Sequence, residues 1–496
     1  MSTGKVIARN ASVMMVSQLI TWTLAIIVAI FLPRYLGAEG IGELSVANSI
    51  WLILSVLITF GMDYFLTKMI AREPERTPEF LGTSLTIRIV FGLISLGVVM
   101  IYTYVMGFSF RTTVLTYIIG MSYLMGSIGG AISAALSGME RMDVLSSINI
   151  ITKIIYTVFT LVLVFLKANI YYIAAASLIP ALISLVINAF FLSRNYKIRL
   201  HFSISNSLVM LNDSKQYLIT AIVLIAYQQI DKLFIVQLID TRTVGWYGTA
   251  MNLFGTFMFV PVVIGTVIFP SLSRSYVNDK AMLNVIAQRG LDIMFLIGVP
   301  VGFGLLIVSK PLIELLYGAD FVQSGPILAV LGIVLIFTYL NTFLGQLLIS
   351  TDRTGPWNMV MFVAVVITAP LDFILVPWTH QMFGNGALGG AMAFLFTEAG
   401  MVIGAVLLMP RNMLLWSNIR TAVLSLICGL LMVAASWWWR DTMLPLSILV
   451  GAVTYIGLVF LLRVVPHDDL LVLKDIGMLV VNRLRRLKKA PAGFGN

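Results

Sequence analysis

The sequence predicts an all-helical protein that crosses a membrane about fourteen times. Hydrophobic residues make up 59% of its 496 residues and charged residues only 11%, whereas soluble domains carry about 25% charged residues. The mean hydropathy is +0.98. Apolar runs of the length that crosses a bilayer as a helix, about 20 residues, follow one another along nearly the whole chain. These observations leave no stretch for a soluble domain, so we expect one polytopic unit.

Short clusters of charged residues or turn formers separate the apolar runs. Each run is long enough to cross the hydrocarbon core, because a helix rises about 1.5 Å per residue. An even number of spans places both termini on the same side of the membrane. The predicted spans are 10–33, 41–69, 81–106, 112–137, 144–166, 170–193, 215–239, 243–270, 286–309, 326–350, 357–378, 386–409, 417–439 and 443–464.

The distribution of Lys and Arg predicts which side the termini occupy, since basic residues in short loops resist translocation. With the N-terminus inside, 23 of the 32 basic residues lie on the inner side and 6 on the outer side. The other three, Arg88, Lys153 and Lys232, lie within predicted spans. We therefore expect a multi-pass protein of the cytoplasmic (inner) membrane with both termini cytoplasmic. The net charge of +10 reflects this topology, and no nucleic-acid partner is expected.

The residues that usually build metal sites or disulfides are sparse. The one cysteine, Cys428, lies in an apolar run, so no disulfide framework is available. The three histidines, His201, His380 and His467, are far apart in predicted loops or the tail. No catalytic residue, metal site or cofactor is expected, apart from a coupling proton or sodium ion.

The C-terminal tail, residues 466–496, differs in character from the rest of the chain. Its stretch "HDDLLVLKDIGMLVVNRLRRLKK" has acidic residues at its start, a basic cluster at its end and apolar residues at helical spacing. This pattern is typical of an amphipathic helix on the inner leaflet. A simple topology anchor and a regulatory or partner-binding segment are both compatible with it.

An internal repeat relates the two halves of the chain. The stretch "LPRYLGAEGIGELSVANSI" in the first half resembles "IVQLIDTRTVGWYGTAMNL" in the second, at an offset of 203 residues. The aligned pairs are Gly42 with Gly245, Ala47 with Ala250 and Ser49 with Asn252. Six predicted spans separate the two copies. Parallel repeats of this kind can build a transporter from two bundles around a central path.

Several motifs, taken in order, resemble one transporter family. They are "RYLGAEGIGELSVANS", "FGMDYFLTKMIARE", "DKLFIVQLIDTRTVGWYGTAMNL", "FVPVVIGTVIFPSLSR" and "PLIELLYGADF". Together they resemble the polysaccharide-transporter branch of the multidrug/oligosaccharidyl-lipid/polysaccharide (MOP) flippase superfamily, which includes Wzx-type O-antigen flippases and, more distantly, lipid II flippases. The resemblance covers about residues 5–465.

The resemblance implies two six-helix bundles, 1–194 and 195–412, around a central cavity of alternating access. Transmembrane helices 13 and 14, in 413–465, and the cytoplasmic basic tail, 466–496, would follow. The implied substrate is a polyprenyl-pyrophosphate-linked oligosaccharide that moves from the cytoplasmic to the outer leaflet. Polysaccharide polymerase machinery is an implied partner. The arginine set of lipid II flippases has no match here, so surface polysaccharide units are the favoured substrate.

The three bases within spans agree with an anionic substrate. A pyrophosphate must cross a region of low dielectric constant, where a fixed cation lowers the barrier. Arg88, Lys153 and Lys232 are therefore the candidate substrate-binding residues. Each could instead be a snorkelling or locally paired base.

The acids within spans suggest different roles. Asp231 and Lys232 are adjacent, and adjacent helical residues point about 100° apart, so we do not expect them to pair with each other. Asp231 is assigned a structural role. Asp63 is also assigned a structural role, because it is expected to pair with a base near the inner end of the second predicted span. Glu398 and Asp372 are the candidates for binding a coupling ion.

Two other functions remain as alternatives. A drug/cation antiporter of the same superfamily is expected to rely on buried acids in the N-terminal bundle, and usually has twelve helices. A membrane polysaccharide polymerase or glycosyltransferase needs acid, base or metal residues on a sizeable extramembrane loop. The longest predicted outer segment, about "YGADFVQSG", is too short for that. We therefore predict a flippase without covalent chemistry.

Overall fold

The computed structural model describes residues 3–195, 204–410, 413–440 and 443–464, and every α-helix, 3-10 turn and loop below lies within them. The α-helices are α1 Thr3–Thr59, α2 Met62–Arg72, α3 Thr77–Val105, α4 Phe110–Gly138, α5 Met142–Phe165, α6 Ile170–Ala175, α7 Leu178–Asn195, α8 Ile204–Leu238, α9 Thr241–Phe257, α10 Phe259–Asn278, α11 Lys280–Tyr317, α12 Ser324–Ser350, α13 Thr354–Phe383, α14 Gly386–Leu408, α15 Trp416–Ser436 and α16 Leu444–Leu461. Short 3-10 turns lie at Pro74–Arg76, Ala319–Phe321 and Trp437–Trp439. The predicted tail helix after Pro466 lies outside the described residues.

The predicted all-helical membrane fold is confirmed. Within the described ranges, 13 stretches are long and apolar enough to cross a membrane. The first of them, Ile20–Arg72, has 53 residues, which is more than twice the length that one span needs. Its backbone leaves the helical conformation at Gly37 (φ 68°, ψ 178°), a conformation that glycine adopts at little cost. This stretch therefore holds the first two predicted spans.

Several spans are bent or broken where the sequence predicted uninterrupted helices. The second span changes direction between α1 and α2, where Phe60 and Gly61 have φ values of 50° and 69°. The sixth span is divided into α6 and α7, and the eighth into α9 and α10 at Met258. Conversely, the loop expected at 34–40 is helical on both sides of Gly37, because this one residue suffices to redirect the chain.

The last two helices pack on the outside of the second half. The Tyr455 hydroxyl of α16 donates a hydrogen bond to the Leu296 carbonyl of α11 at 3.1 Å. A side chain at Gly429 of α15 would collide with Phe303 of α11. Cys428 is fully buried in this contact. Helices α15 and α16 therefore flank the bundle and take no part in its centre.

The two halves meet where α1 crosses α9, and this crossing has a pseudo-twofold geometry. A Cβ atom at Gly42 would overlap the Thr241 carbonyl, and one at Gly245 would overlap the Ala38 carbonyl. Residues 241 and 245 are the repeat equivalents of 38 and 42 at the 203-residue offset. Each half thus presents the same backbone surface to the other, which is the pattern of an isologous interface. The crossing requires glycine at both positions, since any side chain would push the helices apart.

Candidate functional site

Four adjoining cavities, of about 580, 600, 520 and 310 Å³, lie between and within the two halves. They share lining residues: Asn252 borders three of them, as does Tyr156. We call this set the central cavity. The charged residues among its lining are Lys153, Lys232, Asp231 and Glu398.

Lys153 enters the central cavity from the first half of the chain. It lies on α5 and borders two of the cavities, beside Trp22 of α1. Its ammonium nitrogen is 5.5 Å from the centre of the Tyr156 ring, one helical turn away on the same helix. A cation over an aromatic face is stabilised by the ring quadrupole. Within the described part of the chain, Lys153 forms no ion pair, so its charge remains open to an anion.

Lys232 enters the central cavity from the second half. It lies on α8, and its Nζ donates a hydrogen bond to Gln229 Oε1 at 3.1 Å. The same oxygen accepts a 2.8 Å bond from the Ser49 hydroxyl of α1, so this amide links the two halves. No carboxylate of the described residues lies within the 4.0 Å ion-pair distance of Lys232. The Gln229 amide carries no charge, so the positive charge of Lys232 is not neutralised.

Arg88 lies outside the central cavity, in the core of the first half. Its side chain is fully buried, and its Nη2 donates to Asp63 Oδ1 at 2.6 Å. Its other donors bond the Ser127 carbonyl at 2.5 Å and the Ser84 hydroxyl at 3.2 Å. These contacts join α3 to α2 and α4. The assignment of Arg88 to the substrate remains a prediction, and its engaged donors favour the local-pairing alternative for both Arg88 and Asp63.

This pair gives an asymmetric stability prediction. The Asp63 side chain is 46% exposed whereas Arg88 is fully buried. Asp63→Asn would leave a buried charge without its partner, which costs about 3–5 kcal/mol. Arg88→Met would leave no buried charge, only a half-exposed carboxylate, so we expect a smaller loss. Melting temperatures of both variants in detergent test this, and a larger loss for Arg88→Met would contradict it.

Asp231 and Asp372, for which the sequence predicted separate roles, lie together in the structure. The Tyr247 hydroxyl donates to Asp231 Oδ2 at 2.5 Å, and Asp372 of α13 lies within hydrogen-bonding reach of Asp231. Both residues are buried. Asp231 Oδ1 and both carboxylate oxygens of Asp372 receive no hydrogen bond from a donor among the described residues. Two buried carboxylates in this arrangement require a proton or a cation between them.

Glu398 of α14 borders the central cavity and has partners of its own. The Tyr227 hydroxyl donates to one carboxylate oxygen at 2.8 Å, and the Asn341 amide donates to the other at 2.7 Å. The Asn341 amide also bonds the Glu398 carbonyl at 2.8 Å. Glu398 therefore joins α8, α12 and α14 on one side of the cavity.

The uncharged residues of this site were not among the predicted site residues. Tyr156, Gln229 and Asn252 border the central cavity and link its parts. The internal repeat had singled out Asn252, as the equivalent of Ser49, but without assigning it a role. Tyr156 follows Lys153 by three residues, and this spacing on a helix would have indicated a shared face.

The central cavity is narrowed by contacts between the halves at both of its ends. At the Gly42 end, Asp320 of the second half accepts a hydrogen bond from the Ala38 amide of the first half at 2.6 Å, and Arg242 of the second half holds the same carboxylate at 2.5 Å. At the Gly61 end, the Tyr64 and Tyr217 rings stack with centroids 5.7 Å apart. Each end is thus closed by a contact between the halves, the Ala38–Asp320 bond at one end and the tyrosine stack at the other.

Sequence comparisons relate the chain to proteins of polysaccharide biosynthesis. A family described as polysaccharide biosynthesis protein matches residues 7–276. The chain is 22% identical over 366 residues to a Haloferax volcanii protein named "Probable low-salt glycan biosynthesis flippase Agl15", covering 73% of this chain and 75% of that one. It is 23% identical over 392 residues to "Capsular polysaccharide biosynthesis protein CapF" of Staphylococcus aureus, covering 74% and 92%.

Solved structures show the same fold at low sequence identity. The lipid II flippase MurJ in an inward closed conformation superposes with a TM-score of 0.70 at 16% identity, covering 94% of this chain and all of that one. An inward-facing multidrug resistance MATE transporter of the MOP superfamily gives a TM-score of 0.59 at 13% identity, covering 87% and 99%. The match over more than half of the chain and the shared fold lead to one conclusion: the chain belongs to the polysaccharide biosynthesis protein family and has the fold of MOP superfamily transporters.

Proposed function

We propose that the protein flips polyprenyl-pyrophosphate-linked oligosaccharides, the repeat units of a surface polysaccharide, from the cytoplasmic to the outer leaflet. The family assignment and the flippase and capsular names of the relatives support this class of substrate. The chain carries out transport and no covalent chemistry. The two halves act as bundles that rock against each other, so that the central cavity opens alternately at the Gly61 end and the Gly42 end.

The observation that carries the proposal is the pair of lysines in the central cavity. Lys153 and Lys232 come from different halves, and neither has an acidic ion-pair partner among the described residues. In a cavity with a low-dielectric wall, a cation attracts a phosphate far more strongly than it does in water. A pyrophosphate that contacts both lysines would bind the two bundles at once. Release of the phosphate from one lysine would then accompany the change between the two open states.

The antiporter alternative receives less support from the first half. Two acids within its predicted spans are paired with arginines, Glu43 with Arg111 at 2.9 Å and Asp63 with Arg88 at 2.6 Å. A cationic drug would therefore have to displace an existing partner from each of them.

Reconstitution tests the proposal directly. The purified protein is placed in liposomes whose outer leaflet carries either a fluorescent polyprenyl-pyrophosphate-linked saccharide or none, and a cationic dye is assayed in parallel. We expect saccharide-lipid movement between leaflets at a rate that depends on the protein, without dye uptake. Dye transport without lipid movement would establish the antiporter instead, and sugar transfer between lipids would establish an enzyme.

Orientation gives a second experiment. We propose that the Gly42 end is extracytoplasmic, as the distribution of Lys and Arg indicates. A cysteine in place of the exposed Ala319 should then react with an impermeant thiol reagent in intact cells. A cysteine in place of the exposed Asn278, which lies at the Gly61 end, should not react. The native Cys428 is fully buried and gives a low background. Reversed labelling would overturn both the orientation and the direction of transport.

We further propose that the Asp231 and Asp372 pair binds the coupling proton or sodium ion. Their oxygens without donors support this assignment. Asp372→Asn removes one charge, so flipping by this variant should no longer respond to an imposed sodium or proton gradient. Glu398→Gln serves as the comparison, because Tyr227 and Asn341 already satisfy that carboxylate. An undiminished gradient response in Asp372→Asn would assign coupling to another site.

A further inference from the structure

The part of the central cavity between α8, α12 and α13 has an unusual chemistry for a membrane interior. Among the described residues, six side-chain amides line it, and we call it the amide chamber: Gln228, Gln229, Asn252, Asn341, Gln346 and Asn358, together with Trp357. Its volume is about 600 Å³, within the range of ordinary small-molecule sites, about 300–1,000 Å³. Amides offer both donors and acceptors without a charge.

Two amide oxygens in this wall lack donors. Asn341 Oδ1 and Gln346 Oε1 are buried, and neither accepts a hydrogen bond from the described residues. The orientation of Asn341 is fixed, because its nitrogen donates to both the carboxylate and the carbonyl of Glu398. A buried carbonyl oxygen without a donor is unfavourable. Both residues border the chamber, so a ligand with hydroxyl or amide hydrogens that shifts these side chains slightly would supply the missing donors.

Apolar faces alternate with these amides. Trp357 is 7% exposed and borders the chamber, as do Met361 and Met401. A pyranose ring has the matching pattern, with hydroxyl groups around its edge and C–H bonds on its faces. Indole rings and thioethers can cover such faces while the amides bond the edge.

We propose that the amide chamber is the saccharide subsite, and that it accepts an uncharged sugar of the lipid-linked head group. This inference rests on the proposed function, which places the pyrophosphate at the lysines. Lys232 and Asn252 border both the chamber and the adjoining cavity between the halves. A sugar in the chamber would therefore be attached directly to a phosphate at Lys232.

The charges of the chamber select against acidic sugars. Lys232 is its one basic side chain among the described residues, and the phosphate occupies it. The carboxylate of Glu398 lies in the wall, held by Tyr227 and Asn341. A uronic acid in the chamber would place a second carboxylate near Glu398 without a cation for it, which is unfavourable at low dielectric constant.

Binding to the purified full-length protein tests the subsite. The probes are geranyl pyrophosphate alone, the same lipid with a neutral disaccharide, and the same lipid with a disaccharide that contains a uronic acid. We expect the neutral disaccharide to lower Kd at least tenfold relative to geranyl pyrophosphate alone. The uronic acid should remove this gain. Gln346→Met and Asn358→Leu should bring the ratio of the two Kd values towards one and leave the Kd of geranyl pyrophosphate unchanged.

The matched control is Gln237→Met on α8, because this amide borders none of the cavities described above. It should keep the wild-type ratio. Equal affinity for all three probes would overturn the subsite, as would an unchanged ratio in both chamber variants. A failure of the proposed function alone would give a different result. The purified protein would still distinguish the three probes by Kd, but the reconstituted liposomes would show no movement of lipid between leaflets.

Discussion

Replacing Lys153 or Lys232 with glutamine should lower the flipping rate roughly tenfold or more, a change of about 1.4 kcal/mol in the barrier. The amount of folded protein should stay nearly unchanged, because neither ammonium has an ion-pair partner that would be left behind among the described residues. Arginine at either position should restore part of the rate, since it keeps the charge. The measurement is the initial rate of lipid movement per folded molecule, together with the melting temperature.

The comparison with Asp231 separates transport from stability. If Lys232 were structural, Lys232→Gln would lower the melting temperature and the double variant Asp231→Asn/Lys232→Gln would restore it. Lys280→Gln, at an exposed position at the start of α11, is the matched control for removal of a positive charge. Wild-type specific rates for both Lys153→Gln and Lys232→Gln would contradict the proposed phosphate contacts.

Gly245→Val should lower the flipping rate further than the lysine variants do, by roughly a hundredfold. This corresponds to an increase of about 2.7 kcal/mol in the barrier. A side chain there would occupy the position of the Ala38 carbonyl, and backbone cannot move aside as a flexible side chain does. The two halves could then no longer close at the Gly42 end. The fold of each half should survive, because the crossing lies between them.

Thiol labelling measures the block at the Gly42 end. Asn252→Cys in the central cavity should react faster with an impermeant reagent from outside when Gly245→Val is also present. Gly304→Val on α11 is the control, since a Cβ there meets no atom within 4 Å. Transport at the wild-type rate by Gly245→Val would show that this end need not close as tightly as the crossing indicates.

Local properties of the sequence were sufficient to predict the spans. Length and hydrophobicity identify a membrane helix regardless of its neighbours, and even the two spans merged in Ile20–Arg72 were separated by the charged and glycine-containing segment around Gly37. The backbone breaks at Gly61 and Met258 were missed. They lie within apolar runs that satisfy the length criterion, and their signals are single residues: Gly61 itself and Pro261 in the first turn of α10.

The contacts within the site depend on how distant helices pack, which local sequence patterns do not specify. Asp231 and Asp372 are 141 positions apart, and their contact follows from the packing of α13 against α8. The sequence did predict that Asp231 and Lys232 would have separate partners, since helix geometry alone separates adjacent side chains. It could not name Tyr247 or Gln229 as those partners. Arg88, a predicted substrate-binding residue, bonds Asp63 and borders none of the four cavities described above.

The pseudo-twofold crossing also bears on how one chain acquired an asymmetric cavity. In a dimer of identical subunits, every residue at the axis appears twice, so a lysine in one subunit faces a second lysine. Here the repeat equivalents of Asp231 and Lys232, at the 203-residue offset, are Val28 and Ala29. Within one polypeptide the backbone contact at Gly42 and Gly245 is duplicated, while the side chains beside it differ between the halves. The symmetric contact joins the two halves, and the covalent link permits a cavity with two unlike walls.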